Sequence, residues 1–200
     1  MTASDSAAIF DLYLIKNFFD ARTCAEIVAE LVSAEGGAAT VYGRGEAGSV
    51  DERVRKAARV TPSPDTVELV KRRLLEAMEE VGAHFGISLS GCEEPQFLRY
   101  HVGDFFVAHQ GGNTGLLVSE RERWRKVSVI ILLNRQSEEP GADSYAGGSL
   151  LFSEWRPGRT RGQYAPPGEA GTLVAFPSET THEVTPVTRG ERYSIASWYG

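Results

Sequence analysis

From Gly91 onward the chain is a succession of short strand-like runs separated by Gly, Pro and Asn turns, and this constrains its fold more than any other feature. The runs are Phe97 to His101, Phe105 to His109, Val127 to Leu133, Ser149 to Phe152, Gly171 to Phe176, Glu183 to Val187 and Tyr193 to Tyr199. Many short strands with close turn signals specify a β-sandwich or a barrel, because a sheet with one apolar face must close on itself or stack on another. At 200 residues the chain suits one domain. The expected organisation is a single domain over 1–200, with 1–90 giving an entering strand and supporting helices and 91–200 forming the β core.

The first part reads differently. Ile9 to Leu14 is expected to be the entering strand, and Asp20 is placed to cap a helix whose apolar residues Cys24, Ile27, Val28, Leu31 and Val32 recur at three- and four-residue steps. A second helix is expected from Ser63-Pro64-Asp65, with Pro in the first turn and Asp at the positive end of the dipole. Its face is Val67, Val70, Leu74, Met78, Val81 and Phe85. The stretches Ala34 to Gly48 and Gln136 to Gly147, rich in Gly, Ala, Ser and charge, are expected to be mobile loops near the mouth of the barrel.

A net charge of −6 argues against general affinity for nucleic acid, since phosphate binding needs concentrated Lys and Arg. The mixed run Glu120 to Lys126 reads as a solvated face. Two cysteines, Cys24 and Cys92, suggest no disulfide framework and suit a reducing cytoplasm. Met1 to Ala8 is polar and small, so neither a signal peptide nor a membrane span is expected there.

The chemistry concentrates in two segments. In Val107-Ala108-His109-Gln110-Gly111-Gly112-Asn113-Thr114 a histidine ends a strand, and two residues later, where strand alternation would aim a side chain the same way, stands Gly111. His182 follows much later in His182-Glu183-Val184, and ten residues beyond it come Arg192 and Ser194. A lone His on a strand is usually an ordinary core or surface residue, and His84 and His101 read that way; Gly111-Gly112 by itself reads as a tight turn.

The order of these segments, with Arg99-Tyr100 upstream, Gly147-Gly148-Ser149-Leu150-Leu151-Phe152, and Gly171-Thr172-Leu173-Val174-Ala175-Phe176-Pro177, resembles the Fe(II)/2-oxoglutarate-dependent oxygenases, in their prolyl 4-hydroxylase-like branch. The family pattern is HxD, a long gap, a second His, and a basic residue about ten positions on. This chain reads HxG, the form associated in that superfamily with radical halogenases. The resemblance implies a double-stranded β-helix, the jelly-roll form of cupins, with iron(II) held by His109 and His182, and 2-oxoglutarate and O₂ as co-substrates. It also implies Arg192 and Ser194 gripping the distal carboxylate of 2-oxoglutarate, Tyr100 contacting it, and chloride or bromide filling the position that Gly111 vacates. An aromatic expected near Leu133-Asn134 appears as Leu132, so part of the family's hydrogen-bond set is absent or moved.

Three functions stay open on the sequence. One is a halogenase acting on an unactivated C–H bond. Another is a hydroxylase whose ligand Asp has become Gly111, since His109 to Thr114 is otherwise similar to the common HxDGNT form. The third is a jelly-roll that binds without turnover. The substrate, whether metabolite, amino acid, peptide or protein, is not legible, although Arg53 or Arg55 is placed to meet an acidic one; a charged turn exposed to water explains the same residues.

Overall fold

The computed structural model of the protein describes residues 10–40, 50–112, 120–154 and 162–200. Asp20 accepts the backbone N–H of Thr23 at 2.7 Å and opens helix α1 (Ala21–Ser33), as its short acceptor side chain suits it to do. Ser63 caps α2 (Pro64–Phe85), and Gly86, at φ 65°, ends it in the left-handed conformation that costs glycine little. Glu30 ties the helices together by accepting from Thr66 Oγ1 at 2.7 Å and from the Ser63 N–H at 3.0 Å. Cys24, Ile27 and Leu31 of α1 and Val70, Leu74 and Val81 of α2 are buried in one cluster. Val32, expected on the same stripe, is 56% exposed, because it lies one residue past the buried row.

The larger sheet runs β1 (Tyr13–Ile15), β12 (Leu173–Pro177), β7 (Val127–Leu132), β15 (Arg192–Tyr199), β5 (Gln96–Tyr100), β4 (Ala58–Val60) and β2 (Gly36–Ala38) in spatial order. A second sheet runs β11 (Gly162–Tyr164), β10 (Leu150–Glu154), β13 (His182–Val184), β6 (Phe105–His109) and β3 (Arg55–Lys56). A small third sheet joins β14 (Val187–Arg189), β9 (Ser144–Gly147) and β8 (Arg135–Gln136).

Alternation decides which side chains reach the site. From β7, Val127, Val129 and Ile131 pack with the helices, as do Tyr193, Ile195 and Tyr199 of β15. The intervening Ser128, Ile130, Arg192, Ser194, Ala196 and Trp198 line a pocket between the larger sheet and the second one. The opposite wall comes from Phe106, His109, His182 and Val184. Helix packing thus fixes one face of the larger sheet and commits the other to the pocket. The jelly-roll expectation is met.

Several local expectations are corrected. The entering strand starts at Tyr13 among the described residues, and the run Glu183 to Val187 divides into β13 and β14 around Thr185-Pro186, because proline has no N–H to give a ladder. The two glycine-rich stretches contain strands: β2 pairs Gly36, Gly37 and Ala38 with Val60, Arg59 and Ala58, and β9 pairs with β14 and β8. Strand pairing needs only backbone groups, so their composition hid it; residues 41–48 of the first stretch lie outside the described residues. The run Glu120 to Lys126 forms only a short helix α3 (Glu120–Trp124), and Arg125 is no solvated residue. It is 4% exposed and pairs with Glu93 through two N–H···O contacts of 2.6 and 2.9 Å.

Candidate functional site

His109 closes β6 and lies directly opposite His182, the first residue of β13. Their ring centroids are 4.2 Å apart. Each ring places Nδ1 against a carbonyl two residues earlier, Val107 O at 2.8 Å and Thr180 O at 2.9 Å. A carbonyl only accepts, so each Nδ1 carries the proton and donates, which leaves the Nε2 lone pairs free to bind a metal. Aromatic rings fix the planes: Phe106 stacks on His109 at 3.5 Å, and Phe176 meets His182 edge-on at 4.6 Å. Burial pushes His182 down to about 4. Burial and the neighbouring His182 hold His109 well below the usual imidazole range. Both are therefore neutral near pH 7, the state a metal ligand needs.

Across the pocket, Arg192 is 1% exposed. Its Nη1 donates to Ser194 Oγ at 2.7 Å, its guanidinium carbon lies 5.1 Å from the centroid of Tyr100, and its Nε and Nη2 are buried with no partner among the described residues. A buried cation without a carboxylate is costly, and the geometry leaves a bidentate edge for a carboxylate brought by a ligand. Tyr100 sits directly opposite Arg192 in the β5–β15 register, and Leu132 opposite Ser194 in the β7–β15 register. The two histidines, Tyr100, Arg192 and Ser194, read from distant parts of the sequence, thus line one pocket.

Gly111 lies beyond the end of β6, so strand alternation does not reach it. Instead its N–H and that of Gly112 both donate to Ser178 O, at 2.8 and 3.1 Å, and its own carbonyl accepts from Arg125 Nη1 at 3.0 Å. A Cβ at Gly111 would lie 2.3 Å from Ser128 Oγ and 2.9 Å from Trp198 Nε1. The direction a side chain would take is therefore toward the pocket wall, and it is already edged by two polar groups. The indole Nε1–H of Trp198 is buried and has no acceptor among the described residues; the Ser128 hydroxyl shares a 3.0 Å hydrogen bond with Ser178. Asn113 and Thr114 lie outside the described residues.

The other titratable neighbours are engaged elsewhere. Asp104 accepts from the His101 N–H at 2.9 Å and faces Lys56 at 3.3 Å. Among the described residues no cluster of three His, Cys, Asp or Glu side chains is placed to hold a metal. His84 meets Asp11 at 3.1 Å and His101 meets Glu191 at 2.6 Å, and neither lines the pocket. Sequence reasoning passed over Phe106, Ser128 and Trp198. Only their alternation with core residues on β6, β7 and β15 carries any signal of them.

The sequence model of the 2OG-Fe(II) oxygenase superfamily matches residues 95–200. The chain belongs to this superfamily. A "PKHD-type hydroxylase" of Paracoccus denitrificans is 32% identical over 165 residues, covering 81% of this chain and 67% of that one. Another from Burkholderia lata is 37% identical over 105 residues, covering 52% of this chain and 41% of the relative. Among solved structures, a prolyl 4-hydroxylase of Pseudomonas putida superposes with a TM-score of 0.67 at 22% identity, over 100% of this chain and 98% of that one. A Trichoplax adhaerens prolyl hydroxylase, solved with a peptide of hypoxia inducible factor, gives 0.65 at 17% identity, over 98% and 86%. These two show the shared fold. Within the superfamily the chain is of the PKHD type, and membership implies iron(II), 2-oxoglutarate and O₂. No helix among the described residues is long and apolar enough to cross a membrane.

Proposed function

We propose that this 2OG-Fe(II) oxygenase oxidises an unactivated C–H bond with iron held by two protein ligands only, His109 and His182, and with an external anion, chloride or bromide, taking the place of the usual carboxylate. The donor set fits the metal: two neutral imidazoles with free Nε2 lone pairs converge from paired strands. The co-substrate fits too, because the buried edge of Arg192 lacks a carboxylate and Ser194 orients it. Iron(II) with 2-oxoglutarate and O₂ supplies the oxidising power. The protein binds and orients the partners and keeps water away.

The observation that carries the anion reading is the surroundings of Gly111. Gly111 carries no Cβ, so Ser128 Oγ and the Trp198 N–H, which has no acceptor among the described residues, close on its backbone at the pocket wall. An N–H donor favours an anion there, and a glycine is what allows the close approach. Tyr100, opposite Arg192 and 5.1 Å from its guanidinium carbon, is placed to contact the same carboxylate.

A hydroxylase whose ligand Asp has been replaced by Gly111 is the second reading, and the hydroxylase names of the relatives favour it. Iron-loaded protein incubated with 2-oxoglutarate, O₂ and candidate substrates, with and without chloride or bromide, separates the two. Added halogen in the product mass supports the first, and added oxygen irrespective of halide supports the second. Absence of both iron binding and succinate formation would leave a jelly-roll that binds without turnover.

A further inference from the structure

The pocket holds a second buried guanidinium that the co-substrate does not use. Arg55 is 7% exposed and projects from β3 into the pocket that His109, His182 and Arg192 line. Its Nη1 donates to Thr40 O at 3.0 Å, its Nε is buried without a partner among the described residues, and its guanidinium carbon lies 4.7 Å from the centroid of Phe106. Phe106 in turn stacks on His109. The cation is thus held one aromatic ring away from a residue of the proposed metal site. Arg53, the other candidate of this segment, is excluded as a pocket residue: its side chain is 91% exposed and pairs with Asp51 at 3.0 Å.

Charge makes Arg55 informative. Among the described residues two arginines and no Asp or Glu line the pocket. Arg192 answers for the distal carboxylate of 2-oxoglutarate, and a single carbonyl does not neutralise Arg55. An uncompensated buried cation destabilises the protein, whereas a carboxylate delivered by a ligand would both neutralise it and use the free N–H. The Phe106 face holds the guanidinium in place without competing for that N–H.

We infer that Arg55 is a specificity-determining residue that binds a carboxylate of the substrate, so that the substrate is a carboxylic acid. This rests on the iron and 2-oxoglutarate reading of the same pocket. The carboxylate has two possible sources, a free amino acid or the side chain of Asp or Glu in a peptide.

The test is calorimetric titration of the protein loaded with iron(II) and 2-oxoglutarate without oxygen. The probes are the free L-amino acids, their methyl esters, and N-acetylated, C-amidated tripeptides with central Asp or Glu. At least one acid is expected to bind tenfold or more tightly than its neutral ester or amide counterpart, with Arg55→Gln abolishing that preference and Arg55→Lys keeping part of it. Preference within the free amino acids or within the tripeptides identifies the source. Equal affinity for acids and their neutral counterparts, or no binding of any acid, while 2-oxoglutarate itself binds, overturns the inference alone. Failure of 2-oxoglutarate to bind removes the reading beneath it as well. Should Arg55→Gln not fold, the acid-against-ester comparison on the unaltered protein decides.

Discussion

Arg192 and Ser194, two residues apart on β15, share a hydrogen bond of 2.7 Å that turns the guanidinium so that its Nε and Nη2 face the pocket unpartnered. On the proposed reading, Ser194 orients that edge for the carboxylate of 2-oxoglutarate. Arg192→Ala is expected to weaken 2-oxoglutarate binding about a hundredfold, since a charge-assisted bidentate contact is worth a few kcal/mol. The ligand-free protein should melt no lower than the parent, because an unpaired buried cation has been removed. Calorimetric titration with 2-oxoglutarate reads the first and thermal melting the second; an unchanged affinity rejects the role.

The imidazole pair carries a pH dependence. Burial lowers His182 from the ordinary 6.5 to about 4, so the folded state binds fewer protons than the unfolded one between those values. Stability from this group is thus complete above about pH 6.5 and is lost as pH falls toward 4, by roughly 3 kcal/mol. Urea unfolding of the metal-free protein across that window should show the decline, with a flatter profile for His182→Gln. His109→Gln and His182→Gln should each abolish tight iron binding, because one imidazole cannot hold the ion.

Behind the pocket wall, Glu93 and Arg125 form a buried ion pair, and the Arg125 guanidinium carbon lies 3.7 Å from the ring centroid of Trp198. Glu93→Ala leaves Arg125 charged and buried, so a loss of about 3 kcal/mol in chemical denaturation is expected. A loss under about 1 kcal/mol would show that the pair contributes little.

Much of the candidate site is legible in sequence because the residues proposed to hold metal and co-substrate sit at strand positions with set offsets, as with His109, and Arg192 ten residues after His182. The helix caps Asp20 and Ser63 are equally local signals. What stays hidden depends on registers between distant strands. Arg55 and Arg53 are two residues apart in a charged segment, yet pairing of Arg55 with Phe106 buries one while the other stays in water. Arg125 likewise looks solvated until Glu93, 32 residues away, is brought beside it. Gly111 shows the limit from the other side, since its two-residue offset from His109 suggests a strand position but β6 has already ended.

That departure alters what Gly111→Asp should do. A Cβ there falls 2.3 Å from Ser128 Oγ, so the carboxylate cannot simply be restored; the serine hydroxyl must leave its bond with Ser178, and Trp198 must shift. The single variant is expected to lose about 1–3 kcal/mol of stability through overpacking and to gain little in iron affinity. Gly111→Asp combined with Ser128→Ala removes the closest obstacle. The double variant should bind iron more tightly than the parent and lose any halide requirement, because the new ligand supplies both the charge and the donor. If hydroxylation is the ancestral chemistry of the pocket, its product should then gain oxygen in place of halogen. The measurements are iron affinity by competition with a chelator and product mass with and without chloride. If the double variant folds yet matches the parent in both, Gly111 does not stand at the ligand position, and the reading of a vacated carboxylate site filled by halide is wrong.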